Sequence, residues 1–309
     1  MHSLQTRLSP TLQGMLLMVL ATIAFTSMQS GIRVVANDAD NPMHPIEVAF
    51  FRNLFGLLVL VPALLRSRGT ALRTRRFGMH LSRATIQASG MLCFFTGVTM
   101  IPISEVTALS FSAPLFATLL AALILGERVR MRRISALVIG FAGVVVVLRP
   151  GLEAVSLGAG LILASSLSWS VAMIIIKSIS RTDSALTLTL YAALLMSPIT
   201  LVPALFVWTQ PSLYQLLWLA GIGGLGTIGH MAFAHAFKIA EMSAVLPLDF
   251  LRLLWASVIG YLLFSELPTT FTWMGGLMIF AAASYIAFRE AQLGRQRRKS
   301  TEDEDAAPS

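Results

Sequence analysis

Runs of about 20 apolar residues recur along almost the whole chain, each long enough to cross a hydrocarbon core about 30 Å thick. Ten such runs are read at roughly 14–36, 46–65, 79–100, 104–125, 134–149, 157–177, 184–207, 213–237, 242–264 and 269–288. In lipid every backbone polar group needs an internal partner, which leaves helices and closed barrels as spanning structures. Runs of this length select helices. The expected fold class is therefore an all-α polytopic membrane protein with ten transmembrane helices. With 56% hydrophobic and only 12% charged residues, the composition also lies outside the soluble range. The single cysteine, Cys93, excludes a disulfide framework.

The chain repeats itself. Leu60-Val61-Pro62-Ala63-Leu64 returns unchanged as Leu201-Val202-Pro203-Ala204-Leu205. At a constant offset of 139, Ile101–Glu127 overlays Ala240–Glu266 with eight of 27 pairs identical, and the same register pairs Gly90 with Gly229. Gly14/Gly158, Phe25/Trp169, Thr26/Ser170 and Arg33/Lys177 align the first run with the sixth at an offset of 144. Each half holds five runs, an odd number, so the second half is expected to enter the membrane from the opposite face. Two inverted five-helix repeats, at 14–150 and 157–289, are the architecture of carriers that alternate access about a central site.

The net charge of +8 is spread among short loops rather than gathered into a nucleic-acid patch. Arg66, Arg68, Arg73, Arg75 and Arg76 fall between the second and third runs, and Arg128, Arg130, Arg132 and Arg133 between the fourth and fifth. The opposite loops are nearly bare of Lys and Arg. That asymmetry predicts both termini on the cytoplasmic side. The first run is read as a retained helix, because it is too long for a signal-peptide core. The polar tail 293–309 is expected to be a disordered cytoplasmic segment.

Ionisable groups within the apolar runs are costly and need a partner or a task. Arg52 lies about two turns into the second run. Asp249 and Arg252 sit near the middle of the ninth, three residues apart and so on one face. His230 lies in the eighth. One expectation makes Arg52 and Arg252 anchors for an anionic or carbonyl-rich substrate, with Asp249 binding a donor or a coupled proton. The alternative makes Asp249–Arg252 a self-neutralising packing pair. Pro247 cannot donate a backbone hydrogen bond, so a bend is expected beside that pair. Phe25 and Trp169 are candidates to stack on a flat ligand, against a plain packing role. His230 is a candidate proton carrier or a helix-to-helix hydrogen-bond partner. His235 is five residues further on, which does not make a metal-binding pair, and no metal or cofactor is expected. Glu127 and Glu266 end equivalent runs and are assigned structural roles. Gly140 with Gly143, and Gly275 with Gly276, should let helices approach closely. Gly221-Ile222-Gly223-Gly224-Leu225-Gly226 matches a dinucleotide fingerprint only in letters, because no βαβ unit surrounds it. No GxxxxGK[ST] loop is present, so transport is expected to draw on an ion or substrate gradient.

The run Pro114–Glu127, followed by basic residues and Gly140-Phe141-Ala142-Gly143-Val144, resembles the signature of the EamA family in the drug/metabolite transporter superfamily. The second copy, Leu251–Glu266, departs from it, with Leu253 in place of the proline and Ser265 in place of the glycine before the glutamate. The resemblance covers about residues 14–289. It implies ten helices, an inner-membrane location and, in many members, homodimers with the fifth and tenth helices at the contact. His44-Pro45-Ile46-Glu47-Val48-Ala49-Phe50-Phe51-Arg52 also resembles bacterial carriers for S-adenosylmethionine and riboflavin. These resemblances and the paired aromatics imply a secondary transporter of a small organic metabolite, with riboflavin uptake first. S-adenosylmethionine uptake, then amino-acid or drug efflux, are the alternatives. A membrane-embedded enzyme lacks a catalytic constellation, and a scaffold gives no reason for an inverted pair of halves.

Overall fold

The computed structural model describes residues 9–66, 72–125, 131–149 and 156–305. Among these, all regular structure is helical. The elements are α1 (Pro10–Ala36), α2 (Pro45–Arg66), α3 (Phe77–Val98), α4 (Ile103–Ser110), α5 (Ala113–Leu125), α6 (Met131–Leu148), α7 (Leu157–Ile179), α8 (Ala185–Leu205), α9 (Leu213–Ile239), α10 (Met242–Val245), α11 (Leu251–Phe264) and α12 (Thr270–Asp305). Serines placed at helix starts set several boundaries. The hydroxyls of Ser9, Ser156 and Ser184 accept from backbone N–H groups in the first turns of α1, α7 and α8. Ser212 and Gln215 form a reciprocal capping box at α9.

Nine segments among the described residues are long and apolar enough to cross a membrane. The third expected run forms α3, a helix of 22 residues, but His80, Arg83 and Gln87 make it more polar than the other nine. The expected fourth run is not one helix. It breaks at Phe111–Ser112, where tighter i→i+3 bonds run from Phe111 N–H to Ala108 O and from Ser112 N–H to Leu109 O. Pro114 explains the break, since its ring lacks an N–H and clashes with the carbonyl four residues back. The ninth run breaks too, into α10, a 3-10 turn over Leu246–Phe250 that contains Pro247, and α11. The tail also differs from expectation: α12 continues as helix to Asp305, through residues rich in strong helix formers such as Arg, Gln, Lys and Glu.

The side chains are arranged for lipid rather than water. Large apolar groups such as Leu65, Leu123, Leu217 and Leu262 point outward, while α1 turns Thr22, Thr26, Gln29 and Ser30 into the bundle. Thr26 and Ser30 donate to carbonyls one turn back, at 2.9 and 3.0 Å, which satisfies them without water. α1 packs along α9, α3 along α7, α6 along α12 and α2 along α8, with further seams between α2 and α9 and between α3 and α8. Small residues permit these approaches. A methyl at Gly14 would strike Ala240, one at Gly158 would lie 2.8 Å from Ile101, and one at Gly143 would lie 2.8 Å from the carbonyl of Gly275. The Gly143/Gly275 contact joins α6 to α12 within one chain.

Candidate functional site

The broken ninth helix and three neighbours assemble the expected residues into one region. Phe25 on α1 meets His230 on α9 edge to face at 5.0 Å between ring centres, and Trp169 on α7 meets the same imidazole at 6.3 Å. Arg252, in the first turn of α11, holds its guanidinium 5.3 Å above the ring of Phe25 and 5.6 Å from that of Phe111. Its Nη1 lies 3.7 Å from Oδ2 of Asp249. This is a loose ion pair, and both Asp249 Oδ1 and Arg252 Nε have no hydrogen-bond partner. Arg52 reaches from α2 towards α9, where a methyl at Gly226 would lie 3.1 Å from its Nε and Nη2. Its Nη1 donates to Asn53 Oδ1 at 3.3 Å, its Nε is unpartnered, and it meets no carboxylate among the described residues. His230 Nδ1 lies 2.7 Å from the carbonyl of that same Gly226.

These groups are enclosed yet reachable. Trp169 is 37% exposed, and His230 is an exposed residue although its ring meets Phe25 of α1 and Trp169 of α7. Arg52 within α2, Asp249 in the 3-10 turn and Arg252 at the start of α11 are each half-buried. These side chains border one chamber-like region between α1, α2, α7, α9 and α11. It brings together cations, one carboxylate and flat aromatic faces. No nucleophile–base pair accompanies them, and no group of three or more metal-ligating side chains occurs among the described residues.

Hydroxyls tie the breaks to the opposite half. Ser170 on α7 donates to the carbonyl of Ala113, where α5 begins, at 2.6 Å. Thr26 on α1 makes the corresponding bond to the carbonyl of Arg252, where α11 begins, at 3.5 Å. The sequence paired Thr26 with Ser170 and Arg252 with Ala113, and the structure crosses these pairs.

Glu266 joins elements distant in sequence. Its Oε1 lies 2.5 Å from Arg33 Nη1, and its Oε2 accepts the backbone N–H of Ile103 at 3.1 Å. The turn holding it depends on Ser265 at φ 55°, a left-handed conformation that stands where the related copy has glycine. Glu127 lies outside the described residues. Several functional-looking groups were not anticipated. Glu47, fully buried in the first turn of α2, accepts both the N–H and the hydroxyl of Thr209. Arg83 is buried in α3. His80 and Thr74 share Oδ2 of Asp183, at 2.8 and 2.5 Å, in the turn between α7 and α8. Those two hydrogen bonds, the one from His80 foremost, hold the Asp183 carboxyl below the usual carboxylate range. Charges inside apolar runs were visible signals for Glu47 and Arg83, whereas nothing local links His80 to a residue 103 positions away.

An all-helical chain with nine membrane-length segments among the described residues is a multi-pass membrane protein, and the comparisons with known proteins give its class. The sequence profile of the EamA-like transporter family matches twice, over residues 12–149 and 156–288. The chain belongs to the EamA-like transporter family. It is 31% identical over 248 residues to an S-adenosylmethionine uptake transporter of Rickettsia prowazekii, covering 80% of this chain and 84% of that one. It is 30% identical over 292 residues to a riboflavin transporter of Vibrio cholerae, covering 93% and 97%. A solved crystal structure shares the fold at a TM-score of 0.60 and 16% identity, over 92% of this chain and 98% of its own. The protein is a small-metabolite transporter and not an enzyme.

Proposed function

We propose that this transporter is a secondary carrier of the bacterial inner membrane that imports a carbonyl-rich heteroaromatic metabolite, riboflavin first, by alternating access. The observation that carries the proposal is the gathering of these side chains in one region. Arg52, Asp249 and Arg252 are accessible, incompletely paired and set among the flat faces of Phe25, Trp169 and Phe111. Guanidinium groups match carbonyl oxygens, Asp249 matches an N–H donor, and the rings match a planar heterocycle. Two arginines against one carboxylate leave the chamber positive. That excess ranks riboflavin ahead of S-adenosylmethionine, whose sulfonium would add a further positive charge, although relatives of both kinds exist.

The proposed machinery is a ten-helix bundle of two inverted repeats, 14–150 and 157–289. Its support is the reciprocity of the packing. Exchanging the halves turns the α1–α9 seam into α7–α3, and the α2–α9 seam into α8–α3, and all four are present. Rocking the halves would open the chamber to one face and then the other at similar energy. The Lys and Arg asymmetry of the loops puts both termini in the cytoplasm. Asp249, with one oxygen free, is the proposed proton-coupling group. A homodimer would use the outer faces of α6 and α12, where Val138, Ile139 and Val145 are exposed.

Growth of a riboflavin auxotroph on low external riboflavin tests the substrate. Expression of the carrier should rescue growth, and absence of rescue with the protein demonstrably in the membrane would remove riboflavin from the proposal.

A further inference from the structure

Arg83 has no place in the chamber described above, yet like Arg52 it meets no carboxylate among the described residues. It is 8% exposed, its Nη1 donates to the carbonyl of Leu188 on α8 at 3.0 Å, and its Nε has no partner. One turn further along α3, on the same face, Gln87 Oε1 is also buried and unpartnered. A buried charge without a counter-charge costs several kcal/mol and needs a reason to persist.

The position of Arg83 supplies one. It lies six residues into α3, about 9 Å along the helix, while Arg52 lies seven residues into α2, about 10 Å along. α2 and α3 run in opposite directions, so the two arginines stand at similar depths from opposite faces. Arg52 faces the seam between α2 and α9, and Arg83 the seam between α3 and α8. These seams exchange when the two halves exchange. Immediately beyond Arg83, towards the end of the bundle that carries the start of α1, lies the cluster of His80, Asp183 and Thr74. Tyr191 stacks on His80 at 4.5 Å. Outside that cluster opens a cavity of about 680 Å³ lined by Arg73, Thr74, Arg75, Arg76 and Asp183. Along α3, Arg83 and Gln87 therefore lie deeper in the bundle than this basic mouth.

We infer that Arg83, beside the acceptor oxygen of Gln87, is a second substrate-contact point, where the Arg83 guanidinium takes over the anionic or carbonyl group held by Arg52 when the halves rock and the chamber opens towards the cytoplasm. The inference rests on the carrier reading above and assigns the cytoplasmic half of its path. A purely structural Arg83 would pin α3 to α8 and act equally on both faces; a contact point acts on one.

Sided transport of labelled riboflavin in right-side-out and inverted membrane vesicles separates these roles. Arg83→Gln should raise KM about tenfold from the cytoplasmic face and change it less than about twofold from the other, the loss expected for a hydrogen bond to a charged group. Arg83→Lys should recover most of the difference. An equal shift on both faces, or none on the cytoplasmic face, would overturn the inference. If the unmodified carrier moves no riboflavin, the substrate reading falls, and a substrate-free measurement decides the inference instead. With Cys93→Ser as background, Gln87→Cys should react faster with an anionic than with a cationic methanethiosulfonate reagent applied from the cytoplasmic face. Adding Arg83→Gln should erase that preference. No modification from that face, or a preference indifferent to Arg83, would refute the contact point.

Discussion

The helix pair α4/α5 and the helix pair α10/α11 align at a constant offset of 139 and break at the same register, yet only the second carries charge at the break. In the first, Pro114 follows the break; in the second, Leu253 occupies that place and Pro247 precedes the break. The proline has moved while the interruption has stayed. Asp249 stands where the first copy has Ser110, and Arg252 where it has Ala113. Ser110 simply returns its hydroxyl to the carbonyl of Val106 at 2.7 Å. The duplicated feature is thus the interruption, which frees backbone polarity and places side chains at mid-bundle. The unduplicated feature is the chemistry placed there. Shared residues build the scaffold, and the unshared charges are where the proposed substrate preference resides.

The largest effect should come from splitting the unshared pair. Arg252→Ala leaves Asp249 enclosed without its cation, which costs about 3 to 5 kcal/mol when such a pair is broken, and uptake should fall below detection. The double variant Asp249→Asn with Arg252→Ala should melt at a higher temperature than Arg252→Ala alone while remaining inactive, and Ser110→Ala should transport normally. Asp249→Asn alone should transport without response to a pH gradient. Retention of that response would exclude Asp249 as the proton carrier.

A smaller and symmetric effect is expected for the shared glycines. Gly14→Leu would collide with Ala240, and Gly158→Leu with Ile101 and Met100. Each should cost about 1 to 3 kcal/mol by overpacking, read as similar losses of thermal stability in detergent. Gly160→Ala and Gly221→Ala, which face open space, should be neutral. Unequal damage at Gly14 and Gly158 would count against equivalent halves.

The smallest effect concerns the two ends of the bundle. At one end Asn41 and Gln215 join by neutral amide contacts. At the other, Asp183 binds His80 and Thr74. A carboxyl whose folded value is lowered stabilises the fold above its ordinary range and loses that contribution as pH falls through the lowered value. Melting temperature should therefore drop on acidification below about pH 4, and Asp183→Asn should flatten that part of the profile. Asn41→Ala should leave its shape unchanged.

Much of this was legible without coordinates. The helices are written in the length of apolar runs, and the bend at Pro247 in the loss of a backbone donor. The positions of Arg52, His230 and the Asp249–Arg252 pair stand out because charge is rare in such runs. The break at Phe111–Ser112 was also announced, by Pro114, but it passed unnoticed beneath an unbroken apolar pattern. Hydropathy records side chains and is silent on backbone bonds. That Arg83 Nε and Gln87 Oε1 lack partners is hidden in the sequence, because satisfaction depends on which helix faces them.

By itself the sequence determined that the chain is helical, crosses a membrane repeatedly and consists of two related halves, because lipid forces backbone bonds to close within each segment. Only the tertiary structure decided which segments meet. It crossed Thr26 and Ser170 onto the breaks of the opposite halves, brought Glu266 to Arg33 and Ile103, and gathered Phe25, Trp169 and Arg252 about one chamber. Those contacts depend on helix rotation and on the closeness that small residues such as Gly14, Gly143 and Gly158 allow between whole helices. That information belongs to pairs of surfaces and is absent from any single run.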